Sequence, residues 1–128
     1  MSNCRMGIML SLMRQSQIAF GTGWWPKDPS KLYAFIEELI ISGTPFLWGH
    51  ASPFAKIPAE LADKIAASDT ALHTGWTPQR DVLRHSATGW YITHGGWNGC
   101  QEAIGLRVPM SVRVLSNISL FVVTVCSG

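Results

Sequence analysis

A histidine, an asparagine and a glutamate follow one another at intervals of four residues in this 128-residue chain. They are His94, Asn98 and Glu102, and Gly95 and Gly96 directly follow the histidine. Four residues make about one turn of an α-helix, so the three side chains would lie along one helical face, with the histidine at the N-terminus. The free N–H groups of a helix N-terminus favour an anion such as phosphate, and glycine lets that anion approach the backbone closely.

The polar side chains of this segment suit a nucleotide. Asn98 can donate to a phosphate oxygen, and the Glu102 carboxylate can accept two hydrogen bonds from the vicinal diol of a ribose. Upstream, Trp76 offers a flat face on which a base could stack, and Gln79 carries an amide that can pair with a base edge. Each residue alone has a structural alternative: a core tryptophan, a solvated glutamate on a helix, a tight turn of two glycines. The combination indicates nucleotide binding.

Short apolar runs that alternate with helical segments must position these residues. The patterns predict strands at 17–21, 45–49, 71–74 and 90–93, a fifth strand that begins at 108, and helices at 31–41, 58–67, 79–85 and from 95 to about 106. Such alternation predicts an α/β fold, a parallel sheet with helices on both faces. Ligands bind these sheets at the carboxyl ends of the strands, where Trp76 and His94 would lie.

Composition excludes several other classes of function. Hydrophobic residues make up 47% of the chain and charged ones 14%, which indicates a single globular domain at most. The net charge of +2 is small and the basic residues are scattered, so no nucleic-acid surface is predicted. The three cysteines share no ligand spacing with the four histidines, so we predict no metal site and a cytoplasmic location. The apolar segment 118–126 is about half as long as a membrane span requires.

The run from Trp76 to Glu102, W-T-P-Q-x-x-V-L-x-H-x-A-x-G-x-x-x-T-H-G-G-W-N-G-x-x-E, closely resembles the signature of the UDP-dependent glycosyltransferases of family one. Upstream, I-A-F-G-T-G at 18–23 and S-G-T-P-F-L-W at 42–48 resemble the first two strands of that family's donor-binding domain. The resemblance implies a Rossmann-like domain, the C-terminal half of a two-domain GT-B enzyme. Such an enzyme transfers a hexose from a UDP-sugar to a hydroxyl acceptor with inversion and without a metal ion. The UDP-sugar is a substrate, so no cofactor is expected.

The resemblance also implies a role for each site residue. Trp76 stacks on uracil, Gln79 pairs with the base or reaches the ribose, and Glu102 binds the ribose hydroxyls. The diphosphate is held by residues around the start of the last helix and by one in the loop after the first strand: His94, Gly96, Trp97, Asn98, Gly99 and Thr22.

The chain departs from the family pattern at three positions. Gly95 replaces the usual cysteine. Gly99 replaces a serine that commonly contacts phosphate, so the backbone must serve there. Arg107 stands where a glycine usually precedes Val-Pro-Met, which places a side chain in a turn that favours glycine.

The sequence divides into a linker or non-native start at 1–15, a partial donor-binding domain at 16–110 and a divergent apolar tail at 111–128. The family's sugar-gripping Asp-Gln pair is absent after Met110, where no acidic residue follows. The family's catalytic histidine, a general base, belongs to an N-terminal domain that we do not find here, so no catalytic residue is assigned and we expect the isolated chain to be inactive. Three alternatives stay open: a subunit that pairs with a separate acceptor-binding chain, a non-catalytic UDP-binding module, and an inactive truncated product.

Overall fold

The computed structural model of the chain describes residues 15–20, 25–50, 52–53, 55–114 and 119–123. Its elements, in chain order, are β1 (Gln15–Ala19), α1 (Ser30–Ile41), β2 (Phe46–Gly49), α2 (Ala59–Ala67), β3 (Ala71–Thr74), α3 (Gln79–Arg84), β4 (Thr88–Thr93), α4 (Trp97–Gly105), β5 (Met110–Val114) and β6 (Ser119–Val123). Thr22, the predicted phosphate contact in the first loop, lies outside the described residues, as does most of the predicted start at 1–15.

The strands form one sheet in the order β3-β2-β1-β4-β5-β6. The first five strands are parallel, and β6 pairs with β5 in the antiparallel sense. The chain reverses its direction of progress across the sheet between β1 and β4, and ligands bind open α/β sheets at such a point. The predicted parallel α/β fold is confirmed. The antiparallel β6 was not predicted; the short link at 115–118 accounts for its direction, because a parallel pair needs a crossover of a dozen or more residues.

Two apolar clusters show that helices cover both faces of the sheet. Because successive strand residues point to opposite faces, neighbours such as Ile18 and Ala19 belong to different clusters. The larger cluster joins the strands to α1 and α2 and contains Ile18, Phe20, Leu32, Ile36, Phe46, Trp48, Leu61, Ile65, Ala71 and Ile92. The smaller cluster joins them to α3 and α4 and contains Ala19, Leu83, Tyr91, Ala103, Val108 and Met110.

Helix α4 ends in a turn that normally takes glycine. The N–H of Arg107 donates to the carbonyl of Ile104 at 3.1 Å, and that of Val108 to the carbonyl of Ala103 at 2.9 Å. These two bonds define a Schellman motif, which requires a left-handed residue just past the helix. That residue is Arg107, with φ of 58°. Arg107, whose side chain was predicted to stand in a turn that favours glycine, therefore occupies the left-handed position of that turn.

Candidate functional site

A cavity of about 430 Å³ lies at the carboxyl ends of β1, β2 and β3. Its lining includes the last residues of β1 and β2, the loop that follows β3, the start of α3 and one residue of α4: Ala19, Gly49, Gly75, Trp76, Thr77, Pro78, Gln79, Arg80, Asp81 and Glu102. This is the edge at which α/β sheets bind their ligands, and the volume falls within the usual range of small-molecule sites.

The loop after β3 holds Trp76 at the mouth of this cavity. Thr77 is buried beneath the loop, and a Cβ atom on Gly49 would lie only 2.9 Å from the Thr77 hydroxyl oxygen. The absence of a side chain on Gly49 therefore lets the loop pack against the end of β2. Trp76, which directly precedes Thr77, is 73% exposed, so its ring is accessible to a ligand.

Gln79 and Glu102 meet inside the cavity and bond to each other. The Gln79 amide nitrogen Nε2 donates to the Glu102 carboxylate oxygen Oε2 at 3.0 Å, which links the first residue of α3 to α4. The hydroxyl of Tyr91, on β4, donates to the Gln79 carbonyl oxygen Oε1 at 3.1 Å. Burial raises the pKa of Tyr91 to about 12, so this phenol remains a donor at neutral pH. Three elements thus fix the position of one amide.

The residues predicted to hold the diphosphate gather around the start of α4. Helix α4 begins at Trp97, so His94 lies in the connection that precedes it rather than on the helical face shared by Asn98 and Glu102. The His94 ring covers Gly96, where a Cβ atom would lie 2.7 Å from Nε2. Burial lowers the pKa of His94, which keeps its imidazole neutral at neutral pH.

The connection before α4 depends on a second glycine. Gly95 has φ of 89°, in the region that L-residues with a side chain rarely adopt, and a Cβ atom there would lie 2.9 Å from Val112 Cγ1. Glycine at position 95, where the family usually has cysteine, therefore suits the backbone conformation that this chain adopts there.

The N-terminus of α4 has polar groups available for an anion. No side chain caps it, its first turn contains no acidic residue, and Trp97 and Asn98 are both exposed. Helices α2 and α3 also lack a side-chain cap, so this feature alone does not single out α4. What distinguishes α4 is its place after β4, one of the two strands between which the order of the sheet reverses.

The structure therefore brings the predicted residues into two neighbouring groups. Trp76, Gln79 and Glu102 line the cavity, whereas the other group surrounds the start of α4 and does not line it: His94, Gly96, Trp97, Asn98 and Gly99. Gly99 joins the groups, since a Cβ atom there would lie 3.3 Å from Gln79 Nε2 and 2.6 Å from the Tyr91 hydroxyl oxygen.

Sequence reasoning missed Tyr91 and Thr77. A tyrosine in an apolar strand was an available signal, because a buried phenol needs a hydrogen-bond partner. The pair of His50 and His73 was not predicted either. It lies outside the cavity lining, and His50 Nε2 is 3.1 Å from His73 Nδ1. Within the described ranges, no group of three or more histidine, cysteine, aspartate or glutamate side chains could hold a metal ion.

A family model described as UDP-glucoronosyl and UDP-glucosyl transferase matches residues 18–117. The chain belongs to this family. Among curated UDP-glycosyltransferases, it is 35% identical over 97 residues to an anthocyanidin 3-O-glucosyltransferase of Zea mays. That match covers 75% of this chain and 20% of the maize protein.

Solved UDP-glycosyltransferases share the fold described above. UGT2 of Phytolacca americana, complexed with UDP-2fluoro-glucose and pterostilbene, matches with a TM-score of 0.68 and 33% identity, over 88% of this chain and 25% of that one. Os79 of O. sativa in complex with UDP matches with a TM-score of 0.70 and 31% identity, over 83% of this chain and 24% of that one. The chain thus spans about a fifth to a quarter of these relatives. No helix in the described part of the chain has the length and apolar character to cross a membrane.

Proposed function

We propose that this chain provides the UDP-sugar binding half of a glycosyltransferase that transfers a hexose to a hydroxyl acceptor. One observation carries the proposal: Trp76, Gln79 and Glu102 line a single cavity at the strand ends, beside the uncapped start of α4. The solved relatives with UDP or UDP-2fluoro-glucose bound support the same class of ligand.

The uridine would occupy the cavity. Uracil stacks on the exposed face of Trp76, and the ribose diol binds Glu102, whose Oε2 accepts from Gln79 while Oε1 accepts from a ribose hydroxyl. The Gln79 amide is engaged by both Tyr91 and Glu102. We therefore assign Gln79 to the ribose side of the site rather than to the base edge.

The diphosphate would lie at the start of α4. In an inverting transfer, the acceptor oxygen bonds to the anomeric carbon while the bond from that carbon to the β-phosphate oxygen of UDP breaks. The charge that grows on UDP is met by the N–H groups of α4 and by the neutral His94 imidazole, which can donate one N–H. This stabilisation requires no metal ion, and the UDP-sugar is a substrate rather than a cofactor. The cytoplasm remains the proposed location because the three cysteines suit a reducing compartment.

The acceptor site and the general base would come from residues outside this chain, such as those of a separate acceptor-binding chain. The lining of the cavity includes no histidine among the described residues. His94 would lie on the leaving-group side, where it cannot take the acceptor's proton. A second candidate is a UDP-binding module without catalysis. The same geometry supports it, because a cavity can bind UDP without catalysing sugar transfer.

Isothermal titration of the full chain with UDP tests the proposal. Trp76→Ala removes the stacking face and should weaken UDP binding by about 1–3 kcal/mol. Trp90→Ala is the matched control, because Trp90 is also exposed, at 43%, but does not line the cavity. Equal affinities for the Trp76→Ala and Trp90→Ala proteins would contradict the uracil assignment.

A further inference from the structure

The hydroxyl of Tyr91, on strand β4, bonds to Gln79, one of the residues that line the cavity. Tyr91 is 2% exposed and packs in the apolar cluster between the sheet and helices α3 and α4. Its hydroxyl nevertheless finds a polar partner, the Gln79 carbonyl oxygen, at 3.1 Å. This bond connects the apolar cluster to the Gln79–Glu102 pair that lines the cavity.

The Glu102 carboxylate decides which way the Gln79 amide faces, and the bond from Tyr91 holds the amide in that orientation. One end of a carboxamide only accepts hydrogen bonds and the other only donates, and the Glu102 carboxylate only accepts. The NH2 group of Gln79 must therefore face Glu102, as observed at 3.0 Å, and its Oε1 is left to accept from the Tyr91 hydroxyl. A reversed amide would place its carbonyl oxygen against the carboxylate, which is repulsive, so the Tyr91 bond reinforces an orientation that Glu102 already requires.

Gly99 leaves the space that the Tyr91 hydroxyl occupies. A Cβ atom at position 99 would lie 2.6 Å from that hydroxyl oxygen, closer than real Cβ contacts occur. Any side chain at 99 would therefore displace the hydroxyl from its present place beside Gln79. The serine that the family commonly carries at this position is incompatible with Tyr91 as it stands here.

We infer that Tyr91 is a positioning residue for ribose recognition, which holds the Gln79–Glu102 pair in its binding orientation, and that position 99 is glycine to admit the Tyr91 hydroxyl. The inference rests on the proposed function, because it assigns the pair to the ribose of UDP. Tyr91 itself contacts no ligand. Its contribution is to keep one carboxylate oxygen of Glu102 occupied by Gln79 and the other oriented for a ribose hydroxyl.

The test compares UDP with 2′,3′-dideoxy-UDP by isothermal titration on the full chain. The ratio of the two dissociation constants reports only on the diol, so a general loss of stability or of phosphate binding cancels. Tyr91→Phe should reduce the preference for UDP about threefold to tenfold, the effect of one lost hydrogen bond. Glu102→Gln is the positive control. Tyr33→Phe is the matched negative control, because the Tyr33 hydroxyl bonds to the carbonyl of Lys56, away from the cavity.

A second variant tests the role of glycine at position 99. Gly99→Ala should reduce the preference for UDP over 2′,3′-dideoxy-UDP in the protein that retains Tyr91, because the new Cβ displaces the hydroxyl. In the Tyr91→Phe background the same substitution should have a smaller effect, because the closest contact of the new Cβ, with the hydroxyl, is gone and the 3.3 Å approach to Gln79 Nε2 remains. Equal effects of Gly99→Ala in both backgrounds would overturn the link between the two residues.

The outcomes separate this inference from the function on which it rests. If the unaltered chain prefers UDP and Tyr91→Phe behaves like Tyr33→Phe, the positioning role is wrong and the proposed function stands. If the unaltered chain binds both ligands equally, the ribose assignment of Glu102 fails, and the inference fails with it. If the unaltered chain binds neither ligand, the proposed function is wrong, a result obtained before any variant is made.

Discussion

The imidazoles of His50 and His73 form a hydrogen bond between their facing nitrogens. Nε2 of His50 and Nδ1 of His73 are 3.1 Å apart, and the His50 ring also meets Trp48 edge to face at a centroid distance of 5.5 Å. One nitrogen must donate and the other accept, so the pair requires at least one neutral ring. Burial lowers the pKa of both histidines, and the charge of a protonated His73 lowers that of His50 further.

This pair makes the stability of the chain dependent on pH. The folded-state pKa values of His50, His73 and His94 lie below the ordinary value of 6.5, so between the two values the unfolded chain binds more protons. The free energy of unfolding should therefore be highest above pH 7 and fall as the pH drops below about 6.5. Urea denaturation between pH 7.5 and pH 5.5 measures this fall. His73→Gln should flatten it, and an unchanged slope in that variant would contradict the role of the pair.

At this scale, the sequence was informative where residue type and spacing together specify chemistry. Trp76, Gln79 and Glu102 were predicted to share a site, and the structure brings them into one cavity; their separate roles stay predictions. Tyr91 could not be found in the same way. Its hydroxyl meets Gln79 only because β4 packs against both α3 and α4, and that arrangement depends on packing between residues distant in sequence.

Among the elements, helices α1 and α4 end in the same Schellman motif with different residues in its left-handed position. After α1 the position is Gly43, with φ of 68°, and after α4 it is Arg107, with φ of 58°. The N–H of Gly43 donates to the carbonyl of Ile40 at 3.1 Å and that of Thr44 to Leu39 at 3.0 Å, as the corresponding groups do after α4. The chain thus contains its own comparison of glycine with arginine in one geometry.

Arg107→Gly should stabilise the protein by about 0.5–1 kcal/mol. The left-handed conformation strains an L-residue by about 1–2 kcal/mol, and the greater freedom of glycine in the unfolded chain offsets part of that gain. The reciprocal variant Gly43→Arg should destabilise by a similar amount. Urea denaturation at constant pH measures both. Loss of stability on Arg107→Gly would show that the arginine side chain makes a contribution larger than its backbone strain.

The limits of prediction at the level of elements follow from what holds each strand. Strand β3 was predicted with its observed bounds, because it is a short segment bounded by turn residues such as Gly75. Strand β1 begins at Gln15 rather than 17, because Gln15 and Ser16 pair with β4 and Ser16 also pairs with β2. Polar side chains carry no local strand signal, so only the pairing could reveal these residues.

The described chain as a whole is a sheet of five parallel strands and one antiparallel strand, and it spans about a quarter of the solved glycosyltransferases it resembles. The two predicted groups of site residues lie at the carboxyl ends of the parallel strands, one in the cavity and one at the start of α4. In the proposed function, these two groups bind the two ends of a UDP molecule. Transfer additionally needs an acceptor held in line with the anomeric carbon, and a base to take its proton.

We therefore predict that the purified chain binds UDP but does not form glycosides. Lacking a positioned base typically slows such a reaction by about 10²–10⁴-fold, and losing the alignment of the acceptor slows it further. His50 and His73 are bonded to each other and His94 covers Gly96, so none of these three is placed as a base toward the cavity. The assay combines the chain with UDP-sugars and phenolic or sterol acceptors, with products read by mass spectrometry. Multiple turnovers that Glu102→Ala abolishes would show that this chain alone is an enzyme.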